Sequence, residues 1–140
     1  MLFTPEEEQE IKKRLSEITN DVKLVLFTQT FNCDTCVETE ALMRALCELS
    51  ERLKLEILNP HVDRERAEQY KVERVPALIV EGDRDYGIRY FGALGGYEFA
   101  SLLEDLVAVG KRESGLSEAS KDKIHALAEP LHLKVFVTPT

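Results

Sequence analysis

The chain has 140 residues, the length of one domain and enough to bury about 68% of its unfolded surface. At 44% hydrophobic and 31% charged it is an ordinary globular composition, which excludes a disordered or fibrous chain. Its 26 acids against 18 bases give a net charge of −8, which argues against nucleic acid and anionic lipid as partners.

No stretch approaches the roughly 20 apolar residues of a membrane span. The start, Met1-Leu2-Phe3-Thr4-Pro5-Glu6-Glu7-Glu8, has no basic region before an apolar run, so no secretory leader is expected. Three cysteines are too few for a disulfide-stapled scaffold. A cytoplasmic setting is expected, where a close cysteine pair is more often catalytic or metal-binding than structural.

In chain order, Thr4, Pro5 and the following glutamates predict a helix start: a capping hydroxyl, a proline at the first position and acids at the positive end. Ile11, Leu15 and Ile18 mark its buried stripe over about residues 5–19. Residues 22–27, Val-Lys-Leu-Val-Leu-Phe, read as a buried strand. A loop, 28–32, leads into Cys33-Asp34-Thr35-Cys36. A helix then runs to about Arg52, with Leu42, Leu46, Leu49 and Leu53 on one side. Residues 55–58 form a second strand, 64–71 a short helix and 77–80 a third strand. Gly82-Asp83 turns into a fourth strand at 88–91, and a helix from about Tyr97 to Val109 buries Phe99, Leu102, Leu103, Leu106 and Val107. The order α-β-α-β-α-β-β-α predicts an α/β domain with a parallel core sheet, helices on both faces and an antiparallel hairpin.

That unit is complete near residue 112. Lys111 to Ser120 has a linker composition, 120–129 reads as another amphipathic helix, and 133–140 as another apolar strand. Val25-Leu26-Phe27-Thr28-Gln29-Thr30 is matched by Val135-Phe136-Val137-Thr138-Pro139-Thr140, at an offset of 110 residues. Each copy follows a helix. The expectation is a second copy of the unit that stops just before its own cysteine motif. The alternative is an unrelated strand that adds to the first sheet. An exposed apolar strand of this kind seeks a partner, so the tail is expected either to add to an edge of this unit or to drive dimerisation.

Cys-x-x-Cys where a buried strand meets a helix points to thiol–disulfide chemistry. The helix start favours an anion, so Cys33 is the candidate nucleophile, and Cys36, one turn further in, the shielded resolving thiol. Asp34 works against the thiolate by charge repulsion, which predicts only a moderate depression of the Cys33 pKa. Competing readings are half a zinc site, a purely structural disulfide, or two inert thiols. A tetrahedral zinc site needs four ligands, and Cys47, His61, His125 and His132 are scattered, so no metal is expected. Cys47 lies about 16 Å from Cys36 along one helix and is read as a small core side chain.

The cysteine motif after a buried strand, with Val62-Asp63 and the run Gln69-Tyr70-Lys71-Val72-Glu73-Arg74-Val75-Pro76-Ala77-Leu78, resembles the thioredoxin fold superfamily over about residues 22–110. Within it, Tyr86-Gly87-Ile88-Arg89-Tyr90-Phe91-Gly92 and Gly96-Tyr97-Glu98-Phe99 resemble the glutaredoxin-like protein disulfide oxidoreductases of thermophilic archaea and bacteria, which carry two such units in tandem. The resemblance implies a mixed four-stranded sheet flanked by helices, with an extra N-terminal helix. It divides the chain into a thioredoxin-like unit, 1–112, and a linker helix with the first strand of a second unit, 113–140. It also implies a cis Val75–Pro76 bond facing the cysteines, with Val75 and Pro76 lining the groove for an extended substrate.

The implied function is exchange of a Cys33–Cys36 dithiol or disulfide with protein disulfides, aided by a separate reductase or oxidase and by no cofactor beyond the redox-active pair. Two alternatives stand beside it: a redox-inactive scaffold half of a two-unit protein, and a glutathione-linked glutaredoxin. For the latter, Gly95-Gly96 resembles the glycine pair that holds glutathione's carboxylate. Asp34-Thr35 between the cysteines differs from the thioredoxin and glutaredoxin sequences, so the redox potential does not carry over. Where thioredoxins keep a buried acid, this chain has Phe27; Glu40 and Asp34 are the candidate proton acceptors.

Overall fold

The computed structural model describes residues 2–138. Helix α1 (Pro5–Leu15) opens with a capping box, in which Thr4 Oγ1 accepts the Glu7 N–H and the Glu7 carboxylate accepts the Thr4 N–H. The helix ends four residues earlier than its apolar spacing suggests, but Ile18 beyond it is still buried with Ile11 and Leu15. Strand β1 (Val22–Phe27) follows, then α2 (Cys36–Glu48), β2 (Leu53–Leu58), α3 (Arg64–Tyr70), β3 (Ala77–Glu81), β4 (Asp85–Phe91), α4 (Gly96–Lys111) and α5 (Glu118–His125).

The four strands form one mixed sheet in the order β2-β1-β3-β4. β1 pairs parallel with β2, Val22 opposite Leu53, and antiparallel with β3, Phe27 opposite Ala77. The expected parallel core is therefore confined to the β1–β2 pair. β3 enters antiparallel because the short α3 connection returns it to the far side of β1, and β4 closes the predicted hairpin. β1 is central, and alternation along it feeds two cores. Val22, Leu24 and Leu26 pack with Ile11, Leu15, Met43, Leu46, Leu102 and Leu106 from α1, α2 and α4. Val25 and Phe27 pack on the other face with Ala67 and Tyr70 of α3 and with Ala77 and Ile79.

Two expectations are corrected. α2 ends at Glu48 rather than near Arg52, so Leu53 belongs to β2 and the buried stripe of the helix runs through Cys36, Thr39, Met43 and Leu46. The expected strand at 133–140 does not form over its described part. Residues 133–138 are neither helix nor strand, and Leu133, Val135, Phe136 and Val137 are exposed. A strand needs a ladder partner, and the tail joins neither edge of this four-stranded sheet.

The packing of α4 against the start of β1 depends on Gly110. Its carbonyl accepts the Asn20 N–H at 3.0 Å, the Asn20 side-chain amide at 2.9 Å and the Thr19 hydroxyl at 3.3 Å. A Cβ there would strike Ile18. Among the described residues, no helix is long and apolar enough to cross a membrane.

Candidate active site

The C-terminal end of β1 delivers the chain into a short loop, 28–32, that sets up the cysteines. Gln29 Nε2 donates to the Phe31 carbonyl at 2.7 Å and to the Asn32 carbonyl at 3.4 Å. Asn32 adopts a left-handed conformation, φ 55°, which reverses the chain toward α2, and asparagine accepts that conformation more readily than most residues. Cys33 and Cys36 are joined as a disulfide, with Cα atoms 5.5 Å apart. Cys36 is the first residue of α2 and is 2% exposed, whereas Cys33 precedes the Thr35 N-cap and is half-buried. A nucleophile that must meet a macromolecular disulfide is better served by the more exposed sulfur. Asp34 points to solvent.

One groove borders the disulfide and a second lies beside the loop that precedes it, with Gln29 in both. One, of about 320 Å³, is lined by Cys36, Thr28, Val37, Glu40, Leu58 and Asp63, among others. The other, of about 430 Å³, leads from Asn32 past His61 and Arg64 to Arg74 and Val75. The Val75–Pro76 peptide bond is cis. Val75 thus lines the same groove as Asn32, the residue before Cys33. Pro76 is buried and lines neither groove; its carbonyl accepts the Gly92 N–H at 2.9 Å, tying the β3 entry to the end of β4. Exposed Phe31, Val37 and Val62 supply apolar surface around these openings, and Val37 and Val62 line the first groove.

Phe27 is fully buried against Tyr70, so the β1 position in question holds no carboxylate. Glu40 enters the Cys36 groove from the next turn of α2, but Asp34 lines neither groove. Thr28, Gln29 and Arg44 were not singled out by the sequence: each is an ordinary polar residue, and only the loop geometry and the helix period bring them to the site. Cys47 is half-buried and free; burial penalises its thiolate and pushes the thiol up to about 11. Gly95 is the N-cap of α4, and neither it nor Gly96 lines a groove beside the disulfide. Among the described residues no group of three or more His, Cys, Asp or Glu side chains is arranged to hold a metal ion.

This sheet order, with Cys-x-x-Cys at the β1–α2 junction and a cis-proline before β3, defines a thioredoxin-like unit. The chain is similar to the solved structure of a protein disulfide oxidoreductase from Aeropyrum pernix k1, with 29% identity and a TM-score of 0.78 over 89% of this chain and 55% of that one. It shares its fold with the NTD_N/C domain of the alkylhydroperoxide reductase AhpF from Enterococcus faecalis, at 20% identity and a TM-score of 0.81, over 91% of this chain and 62% of that one. A mutant thioredoxin from Halobacterium salinarum NRC-1 has the same fold at 22% identity and a TM-score of 0.55, over 71% of this chain and 84% of that one. The chain therefore spans little more than half the length of the first two structures. No family model matches it, and no curated protein matches it.

Proposed function

We propose that this unit is a thiol–disulfide oxidoreductase acting on protein disulfides. The observation that carries this reading is the unequal burial of the bonded pair, Cys33 half-buried before the helix and Cys36 buried as its first residue. In the reducing direction the Cys33 thiolate attacks a substrate disulfide and one substrate sulfur leaves as a thiolate. Cys36 then attacks Cys33 Sγ, the second substrate sulfur leaves, and the Cys33–Cys36 disulfide holds the two electrons' worth of oxidation. A partner reductase or oxidase returns the pair to its working state. Val75, on the groove beside Asn32, offers backbone N–H and C=O groups to an extended substrate, with Pro76 fixing their direction. The setting proposed is cytoplasmic, and the pair itself is the only redox group required.

We take residues 1–112 as the catalytic unit and 113–140 as a linker helix with the opening segment of a second unit. The repeat at an offset of 110 and the half-length match to the Aeropyrum pernix structure support this division. The intact Cys-x-x-Cys argues against a redox-inactive scaffold.

The test is mixed-disulfide trapping with a disulfide-bonded protein substrate. Cys36→Ser is expected to accumulate the covalent complex and Cys33→Ser to give none. Equal trapping by both variants would overturn the assignment of roles.

A further inference from the structure

Resolution of a mixed disulfide requires Cys36 to lose a proton, and Cys36 is buried at the start of α2. A free thiol, with a pKa of about 8.5, is only a few per cent ionised at neutral pH, and burial reduces that fraction further. A base near this sulfur would therefore raise the rate. Phe27 and its apolar neighbours offer none from the strand.

The base is on the helix. Glu40 is four residues after Cys36, which places the two side chains on one face, roughly 5–6 Å apart at Cβ. Both line the 320 Å³ groove. The two carboxylate oxygens of Glu40 are not equivalent. Oε1 accepts Arg44 Nε at 3.0 Å and Nη2 at 2.8 Å, whereas Oε2 lies 3.5 Å from the buried Thr28 hydroxyl. Arg44 thus occupies one oxygen and leaves the other on the Thr28 side.

We propose that Glu40 is the proton acceptor for Cys36 in the resolving step, through Oε2 on the Thr28 side, with Arg44 bound to Oε1. This rests on the exchange chemistry proposed above. The Cys36 S–H proton passes to Glu40 Oε2 as Cys36 Sγ bonds to Cys33 Sγ. The bond from Cys33 to the substrate sulfur breaks, and the electron pair leaves with that sulfur as a thiolate. In the opposite direction Glu40 returns the proton to Cys36 as the disulfide is reduced. The charged residues lining this groove are Glu40 itself and Asp63 from the start of α3, with Arg44 paired to Glu40 from outside the lining; β1 and β2 contribute only neutral residues. Asp63 is the rival base; it enters the groove from the α3 side, where its Oδ2 accepts the Asn59 N–H at 3.0 Å, whereas Glu40 stands one helical turn from Cys36.

The experiment uses the full chain with Cys47→Ser, reduced and mixed with 5,5′-dithiobis(2-nitrobenzoate) in a stopped-flow instrument. The first release of thionitrobenzoate reports Cys33 attack, and the second reports resolution by Cys36. Glu40→Gln is expected to leave the first phase unchanged and to slow the second at least about tenfold near pH 6, with the difference narrowing as pH rises and the thiol ionises unaided. Arg44→Ala breaks the same ion pair but keeps the carboxylate, and it should retain the acceleration at low pH; Asp63→Asn should behave as the parent. The proposal is overturned if Glu40→Gln matches the parent at every pH, if it and Arg44→Ala lose rate equally at every pH, or if Asp63→Asn carries the loss. A parent lacking the first phase would refute the exchange chemistry itself, a result distinct from all of these.

Discussion

At the scale of single residues, two small side chains decide more than the large ones. Gly110 is the second-last residue of α4, where alanine would ordinarily be favoured by at most about 1 kcal/mol. The turn at Thr19 and Asn20 closes on its carbonyl, and an added methyl meets Ile18, itself held in the core. Overpacking of this kind costs about 1–3 kcal/mol, more than the propensity gain. Gly110→Ala should therefore lower the urea midpoint; a variant as stable as the parent would mean that Ile18 relaxes freely. The other residue is Asn32, whose left-handed backbone turns the β1 loop into the cysteine motif. The Cys33–Cys36 pair was legible because the spacing is itself the chemical signal. Glu40 was legible only as a candidate, from its place one turn beyond Cys36, and Thr28 and Gln29 carry no such signal, since their roles depend on which groups the loop brings to the site.

At the scale of elements, the helix and strand cores were readable from periodicity and their ends were not. Thr4-Pro5 announced the start of α1 because a cap and a proline have local causes. The end of α2 has no glycine or proline, so the leucine spacing continues through Leu53 although the chain has already turned into β2. Likewise β4 begins at Asp85, polar residues that only the ladder with β3 makes a strand. β2 is tied across the sheet by charge: Glu56 accepts from Lys23 of β1 at 2.7 Å and from Arg66 of α3 at 2.8 Å. These partners hold its carboxyl at about 2, down from 4.5. A depressed carboxyl stabilises the fold above its unfolded value and loses that contribution as pH falls from about 4.5 to about 2. The three side chains are each about a third exposed, so the contribution at pH 7 is at most about 1 kcal/mol. Glu56→Gln should be less stable than the parent at pH 7 and equal to it near pH 2, by urea unfolding across that range. A difference that stays constant with pH would assign the effect to packing instead.

At the scale of the whole molecule, the residues up to Val109 close on two cores of their own, but the described tail does not join them. Leu133, Val135, Phe136 and Val137 present apolar side chains to solvent, Phe136 at 91% exposure. The sequence identified this segment as apolar and strand-like, but a strand exists only where a ladder accepts it, and that depends on chain outside the segment. The tail is expected to drive self-association, so light scattering should show a dimer that becomes a monomer when residues 131–140 are removed. An unchanged mass would show that the tail does not mediate assembly.

The central claim is that the more exposed thiolate, Cys33, begins the chemistry and a buried thiol, Cys36, completes it. Its most direct test is the alkylation rate of each cysteine in the reduced chain as a function of pH, resolved by peptide mass. Cys33 should react with an apparent pKa below the free value of about 8.5, while buried Cys36 and the half-buried, high-pKa Cys47 stay protected. If Cys33 reacts no faster than Cys36, or titrates as an ordinary thiol, the account of this site is wrong.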